Sequence, residues 1–205
     1  MAARTVVIDP ERLLRLAASR LRITGRRWAI IGGIAVGART VPRFTQDIDL
    51  AVAVTDDSEA EHLVASLAPA GLRVATLIEQ TGTGRLATVR LSFEHDDSAL
   101  IDLLFASSGI EPEVVAAATS IELVRGLTVP VAQIGHLIAL KVLSRDDDTR
   151  PQDTVDLRAL IVEATPEDLE MARAALTLIA ERGYDRGKDL QADYAALLAR
   201  FRPSS

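Results

Sequence analysis

The chain has 205 residues, 48% apolar but only 3% aromatic, a formal net charge of −6 and no cysteine. This composition is that of a folded chain, not a disordered one, and it excludes disulfides, thiolate zinc sites and cysteine nucleophiles. The acidic balance argues against bulk nucleic-acid binding but leaves room for a local basic patch. No stretch approaches the ~20 apolar residues of a membrane span. No basic segment leads into an apolar signal core, so a cytoplasmic protein is expected.

Asp9, Pro10 and Glu11 read as a helix start: a capping acid, a first-turn proline, then an acid near the positive end of the dipole. Leu13, Leu14, Ala17 and Leu21 follow at helical spacing, and Thr24 and Gly25 end the helix. Trp28, Ala29, Ile30 and Ile31 read as a buried strand. The pair Gly32 and Gly33 turns into a short helix through Ile34, Val36 and Ala38. A second strand is expected over 48–54. Thr55 to Ser58 form a turn and cap, and a helix over 59–67 ends at Pro69 and Gly71.

Further strands are expected over 74–78, 86–93 and 100–105, with turns at 81–84 and 94–97. The pattern changes near residue 107. After a helix over 113–118 and a hairpin over 122–131, the rest reads as helices over 134–144, 153–163, 167–181 and 188–201. The expectation is therefore an α/β core over 1–107 and a mainly helical region over 108–205.

The informative chemistry lies in 28–54. Asp47 and Asp49 are one residue apart at the head of a strand, so their side chains share a face. Ala51 and Ala53 on that face leave room around them, while Ile48, Leu50, Val52 and Val54 point the other way. Two adjacent carboxylates repel unless a cation sits between them. A hard divalent ion such as Mg²⁺ or Mn²⁺ fits, because it takes oxygen ligands and grips phosphates. A third acid, Asp102, interrupts an apolar strand, where an ionised carboxylate costs several kcal/mol unless paired or metal-bound. Pairing with an arginine such as Arg90 is the structural alternative to a metal role.

The order strand, Gly-Gly turn, helix, Asp-x-Asp strand, later Asp-bearing strand resembles the nucleotidyltransferase fold of the DNA polymerase β superfamily. Thirteen residues separate Gly33 from Asp47. That long gap, together with the run from Arg43 through Phe44, Thr45, Gln46, Asp47, Ile48 and Asp49 to Leu50, is similar to the AbiEii-type proteins. These are nucleotidyltransferase-like toxins of type IV toxin–antitoxin and abortive-infection systems, and they include the MenT toxins. Lys141, on a helix opened by His136, and the run from Arg150 to Leu157 containing Asp153 and Asp156 resemble that family's second block. The resemblance covers roughly 26–162.

It implies an α+β fold: a nucleotidyltransferase-like mixed sheet with flanking helices, then a helical C-terminal region. It implies an enzyme that moves a nucleoside monophosphate from an NTP to an acceptor hydroxyl. Asp47, Asp49 and Asp102 would hold two metal ions about 3.5–4 Å apart. Gly32, Gly33 and Lys141 would hold the triphosphate, with Arg43, Thr45 and Asp153 or Asp156 also lining the substrate site. The implied acceptor is the 3′ end of tRNA, and the implied protein partner is a cognate antitoxin. A small-molecule acceptor and a non-catalytic binding relative are the alternatives.

Two departures stand out. Gly33 replaces the more usual serine, removing a phosphate contact. Asp146, Asp147 and Asp148 put acids in a loop that is often basic. Asp153 has a simpler reading as the cap of a helix starting at Thr154. Arg39 and Arg43 would contact phosphate or a partner, or else be solvated loop charges. His62, His95 and His136 share no metal-ligand spacing.

Overall fold

The structure, a computed structural model, describes residues 10–45, 47–93, 96–146, 149 and 151–202. Asp9, Gln46, Glu94, His95, Asp147, Asp148 and Arg150 lie outside these.

In chain order the elements are α1 (Pro10–Thr24), β1 (Trp28–Ile30), α2 (Gly32–Arg39), β2 (Ile48–Val52), α3 (Asp57–Leu67), β3 (Leu72–Glu79), β4 (Leu86–Phe93) and β5 (Asp96–Leu104). Then come α4 (Glu111–Ala117), β6 (Thr119–Val124), β7 (Leu127–Val131), α5 (Ile134–Ser144), α6 (Pro151–Glu163), α7 (Pro166–Glu181) and α8 (Leu190–Phe201). A 3-10 turn, Ala68–Ala70, separates α3 from β3.

One mixed seven-stranded sheet runs β3-β4-β5-β2-β1-β7-β6. β1 pairs antiparallel with β2 and parallel with β7, and β2 pairs parallel with β5. Its centre is β2, and the three residues of the neighbouring β1 are all buried. Trp28 is the chain's one tryptophan. With so few aromatics, Leu, Ile, Val and Ala build the core, which is one continuous cluster from α1 through α8. α1 contributes Leu13, Leu14, Ala17, Ala18 and Leu21, the stripe expected of an amphipathic helix.

The hairpin β6–β7 joins the sheet beside β1, so strands on both sides of residue 107 belong to one sheet. β5 starts at Asp96, earlier than expected, because its ladder with β4 runs back to the pair Phe93 and Asp96. Asp96 and Asp97, read as turn residues, are thus strand residues. β2 stops at Val52, although the Ala53 N–H still donates to the Arg27 carbonyl at 3.0 Å.

The helix caps follow local rules. Asp56 accepts the Glu59 N–H at the start of α3. Thr165 and Asp168 form a reciprocal capping box on α7, ahead of a proline in its first turn. Lys188 Nζ donates to the carbonyls of Leu143 and Arg145 at 2.9 and 2.7 Å, tying the end of α5 to the approach to α8. Among the described residues no helix is long and apolar enough to cross a membrane.

Candidate active site

The site is built on the central strands. In the β2–β5 register Asp49 stands directly opposite Asp102, and in the β4–β5 register Arg90 stands opposite Asp102. Opposed residues in neighbouring strands point to the same face. Asp49, Asp102 and Arg90 therefore form a row across three strands. Asp102 does neighbour the Asp-x-Asp strand, as its isolated acid in an apolar run suggested.

Its carboxylate is not left open. Arg90 Nε donates to Asp102 Oδ1 at 2.8 Å, and Nη2 donates to Oδ2 at 2.6 Å. This is a two-pronged fork on both oxygens. The bond to Asp102 raises the Arg90 pKa; burial opposes it, and the charges of Asp102, Asp47 and Asp49 add to the rise. Asp47 precedes β2 and, like Asp49, is half-buried. Among the described residues no three His, Asp or Glu side chains are arranged to hold a metal ion. Asp47, Asp49 and Asp102 are gathered on one side, but the arginine of the structural alternative holds the third.

The glycine turn lies against the same carboxylates. Gly32 has φ +62°, and a Cβ there would overlap the Asp49 carboxylate. A left-handed backbone and a filled side-chain position both demand glycine. Asp49 is thus seated over the N-terminus of α2, where unpaired N–H groups and the helix dipole attract anions. A Cβ at Gly33 would lie 2.8 Å from Arg43 Nη2 and 3.1 Å from Thr45 Oγ1. The space a serine would use is bordered by a guanidinium and a hydroxyl.

Arg43 leads to the helical side. Its Nη2 donates to Asp156 Oδ2 at 2.8 Å, and Lys141 Nζ lies 2.9 Å from the same oxygen. Lys141 Nζ also donates to Asp153 Oδ1 at 2.5 Å, Ser144 Oγ to Asp153 Oδ2 at 3.1 Å, and Gln152 Nε2 to Asp156 Oδ1 at 3.1 Å. Burial pushes the Asp156 carboxyl up, but hydrogen bonds from Arg43, Lys141 and Gln152 outweigh it and hold it below the ordinary aspartate value. Arg43 Nε is buried and has no acceptor among the described residues.

Several expectations change here. α6 begins at Pro151, so Asp153 lies inside its first turn and caps nothing; proline suits that position because its missing N–H would go unused. Asp153 and Asp156, three apart on one helix face, both reach Lys141, so the two acids are not alternatives. Lys141 is drawn inward and linked to Gly33 through Asp156 and Arg43.

Arg39 does not face the site. It donates to the carbonyls of Ala132 and Val131 and to Thr119 Oγ1, fastening α2 to the β6–β7 hairpin. His62 contacts the Ser58 carbonyl on its own helix, and His136 is buried away from any ligand set. Asp146 accepts the Thr149 N–H in a local turn. Arg90 was visible in sequence only as a pairing partner. Its place beside three acids follows from the β4–β5 register.

The residues suit a divalent cation in one respect. Asp47 and Asp49 are hard oxygen donors on one side, and the Asp49 carboxylate occupies the space that any side chain at Gly32 would need. Both Asp102 oxygens already accept from Arg90, a cation within the protein.

The family model described as nucleotidyl transferase AbiEii toxin, type IV TA system, matches residues 16–204. The chain belongs to the AbiEii family. As a member it is a nucleotidyltransferase by class. Among curated proteins none matches it in sequence. Among solved structures, this AbiEii-family chain is similar to an antigenic nucleotidyltransferase-like protein from Paracoccidioides brasiliensis. The two are 20% identical, with a TM-score of 0.53 and coverage of 92% of this chain and 93% of that one. That likeness establishes the nucleotidyltransferase fold. The antibiotic-resistance factor ANT(2'')-Ia is 20% identical, with a TM-score of 0.47 and 95% of each chain covered. The lincosamide antibiotic adenylyltransferase LnuA is 11% identical, with a TM-score of 0.48 and coverage of 77% of this chain and 99% of that one.

Proposed function

We propose that the protein transfers a nucleoside monophosphate from an NTP to an acceptor hydroxyl, with release of pyrophosphate. The observation that carries this reading is the seating of the Asp49 carboxylate over Gly32 at the N-terminus of α2. It puts a cation-binding acid against an anion-binding backbone, the juxtaposition a metal-bound triphosphate needs.

In this reading Asp47 and Asp49 hold Mg²⁺ or Mn²⁺ together with phosphate oxygens. The bound cations supply charge neutralisation on the attacking and leaving oxygens. The first N–H groups of α2, Gly32 and Gly33 among them, cradle the triphosphate. Arg43, with a buried Nε lacking an acceptor, and Thr45 take the place of the missing serine and donate to a phosphate oxygen. Lys141 adds a point charge, held in place by Asp153 and Asp156. The acceptor oxygen forms a bond to the α-phosphorus, the bond to the bridging oxygen breaks, and the hydroxyl proton passes to a carboxylate. Asp102 is the general base that takes that proton once Arg90 releases it.

The favoured acceptor is the 3′ end of tRNA, which makes the protein the toxin of a type IV system with a cognate antitoxin in the same cytoplasm. The family description supports the toxin and type IV part of this reading. A small-molecule acceptor is the second reading, favoured by the net charge of −6, which attracts cations. The test is incubation with each labelled NTP, Mg²⁺ and either total RNA or a cationic aminoglycoside, alongside growth of expressing cells. We expect labelled tRNA and arrested growth with the wild type, and neither with Asp49→Ala. Label on the aminoglycoside alone selects the second reading. No transfer to either acceptor and equal growth of both strains remove the catalytic one.

A further inference from the structure

In the chemistry just described Arg90 has only to release Asp102, yet it stands in the row of acids. The site holds three carboxylates, and in the proposed function two of them, Asp47 and Asp49, are assigned to a cation that arrives with substrate. Asp102 is 11% exposed in its side chain, and both its oxygens accept from Arg90, whose own side chain is 39% exposed. The arginine is therefore reachable from solvent, and the carboxylate under it is not. The fork takes one lone pair of each Asp102 oxygen, and the guanidinium charge repels a metal ion from those that remain. A guanidinium this close to Asp47 and Asp49 also repels an arriving divalent ion.

We infer that Arg90 is a positioning residue that acts as an internal counter-ion. It stands in for the second cation while no nucleotide is bound and makes metal loading depend on the triphosphate. The inference rests on the proposed nucleotidyltransferase site. Three physical steps support it. Without substrate, acids clustered on one face repel one another, and the arginine fork neutralises the charge of Asp102 with no metal bound. With a triphosphate present, the half-exposed guanidinium gains competing anionic acceptors. Asp102 is then free to take a metal ion and, later, the acceptor's proton. Lysine cannot replace arginine fully, because a point cation covers one oxygen and the fork covers two.

The test uses the full-length protein and Mn²⁺ as probe. Titration, followed by electron paramagnetic resonance, gives Mn²⁺ affinity with and without a non-hydrolysable ATP analogue. For the wild type we expect weak nucleotide-free binding and a large gain with the analogue. Arg90→Gln should bind nucleotide-free Mn²⁺ about tenfold more tightly, the lower end of what partners of ligating groups do to metal affinity. Its gain from the analogue should shrink accordingly, and Arg90→Lys should fall between the two. If Arg90→Gln fails to give a cooperative melt, the lysine variant carries the comparison.

Unchanged or weaker nucleotide-free affinity in the folded variants overturns the inference and makes Arg90 a structural partner of Asp102. That result leaves the proposed site standing, provided Asp49→Ala abolishes analogue-dependent Mn²⁺ binding. Absence of Mn²⁺ binding in every protein, with or without analogue, overturns both.

Discussion

Gly32 and Gly33 are adjacent and chemically identical, yet the structure asks different things of them. Gly32 combines a positive φ with a side-chain position occupied by the Asp49 carboxylate. A left-handed non-glycine residue costs roughly 1–2 kcal/mol before any clash is counted. We therefore expect Gly32→Ala to lose about 2–3 kcal/mol of stability, read by urea unfolding, and all transfer activity, because the carboxylate must move. Gly33 has an ordinary φ, and its missing side chain would meet the flexible ends of Arg43 and Thr45. Gly33→Ala should cost less than about 1 kcal/mol, within the range of mild substitutions, and weaken NTP binding only as far as Arg43 is displaced. Equal losses for the two variants would contradict this assignment.

At the scale of elements, α6 is held to the site by ions as well as by packing. Asp156 is fully buried, accepts from Arg43 and Gln152, and pairs with Lys141. Removing one member of a buried ionic set strands the others, which costs ~3–5 kcal/mol in well-buried cases. Arg43 and Lys141 reach some solvent, so Asp156→Ala should lose about 3 kcal/mol, the lower end of that range, measured by urea unfolding. It should also weaken NTP binding, since Arg43 and Lys141 lose their anchor. The carboxyl sits below its ordinary value of 3.8 in the folded state. Its stabilisation is therefore present above about that pH and disappears as the pH falls through the lower folded value. Acid unfolding of Asp156→Asn should accordingly show a shallower slope than the wild type below pH 3.8.

For the whole molecule the decisive feature is one sheet and one core running past residue 107. β1, next to the central strand, has β2 from the front half of the chain on one edge and β7 from the back half on the other. A fragment of residues 1–107 should give no cooperative unfolding transition by circular dichroism, because β1 would lose β7 and the helices that complete the core. His136 adds a global pH dependence. Burial lowers its pKa, partly opposed by Glu113, and its Nδ1 has no partner among the described residues. The unfolded chain thus takes up a proton before the folded one does. Stability should fall as the pH drops below the ordinary histidine value of 6.5, and His136→Asn should flatten that fall in melting temperature between pH 7 and 5.

The sequence alone determined the local and periodic features. The α5 helix over Ile134–Ser144 was readable to its ends, because its apolar run is bounded by polar residues. The shared side of Asp47 and Asp49 follows from the period of two, and the family was legible in the Gly-Gly and Asp-x-Asp spacing. What lay between elements far apart in the chain was not legible. The facing of Arg90 and Asp102 comes from the β4–β5 register, and their pairing was open in sequence because an acid in an apolar strand accepts an arginine or a metal equally well. Both Asp153 and Asp156 reach Lys141 only because α5 and α6 pack together. Arg39 turns to the hairpin only because β7 lies beside β1. Propensity and periodicity are set by neighbours in sequence, whereas the partner of a charged side chain is set by whichever oxygen the folded chain brings within about 3 Å. That distance belongs to the tertiary structure.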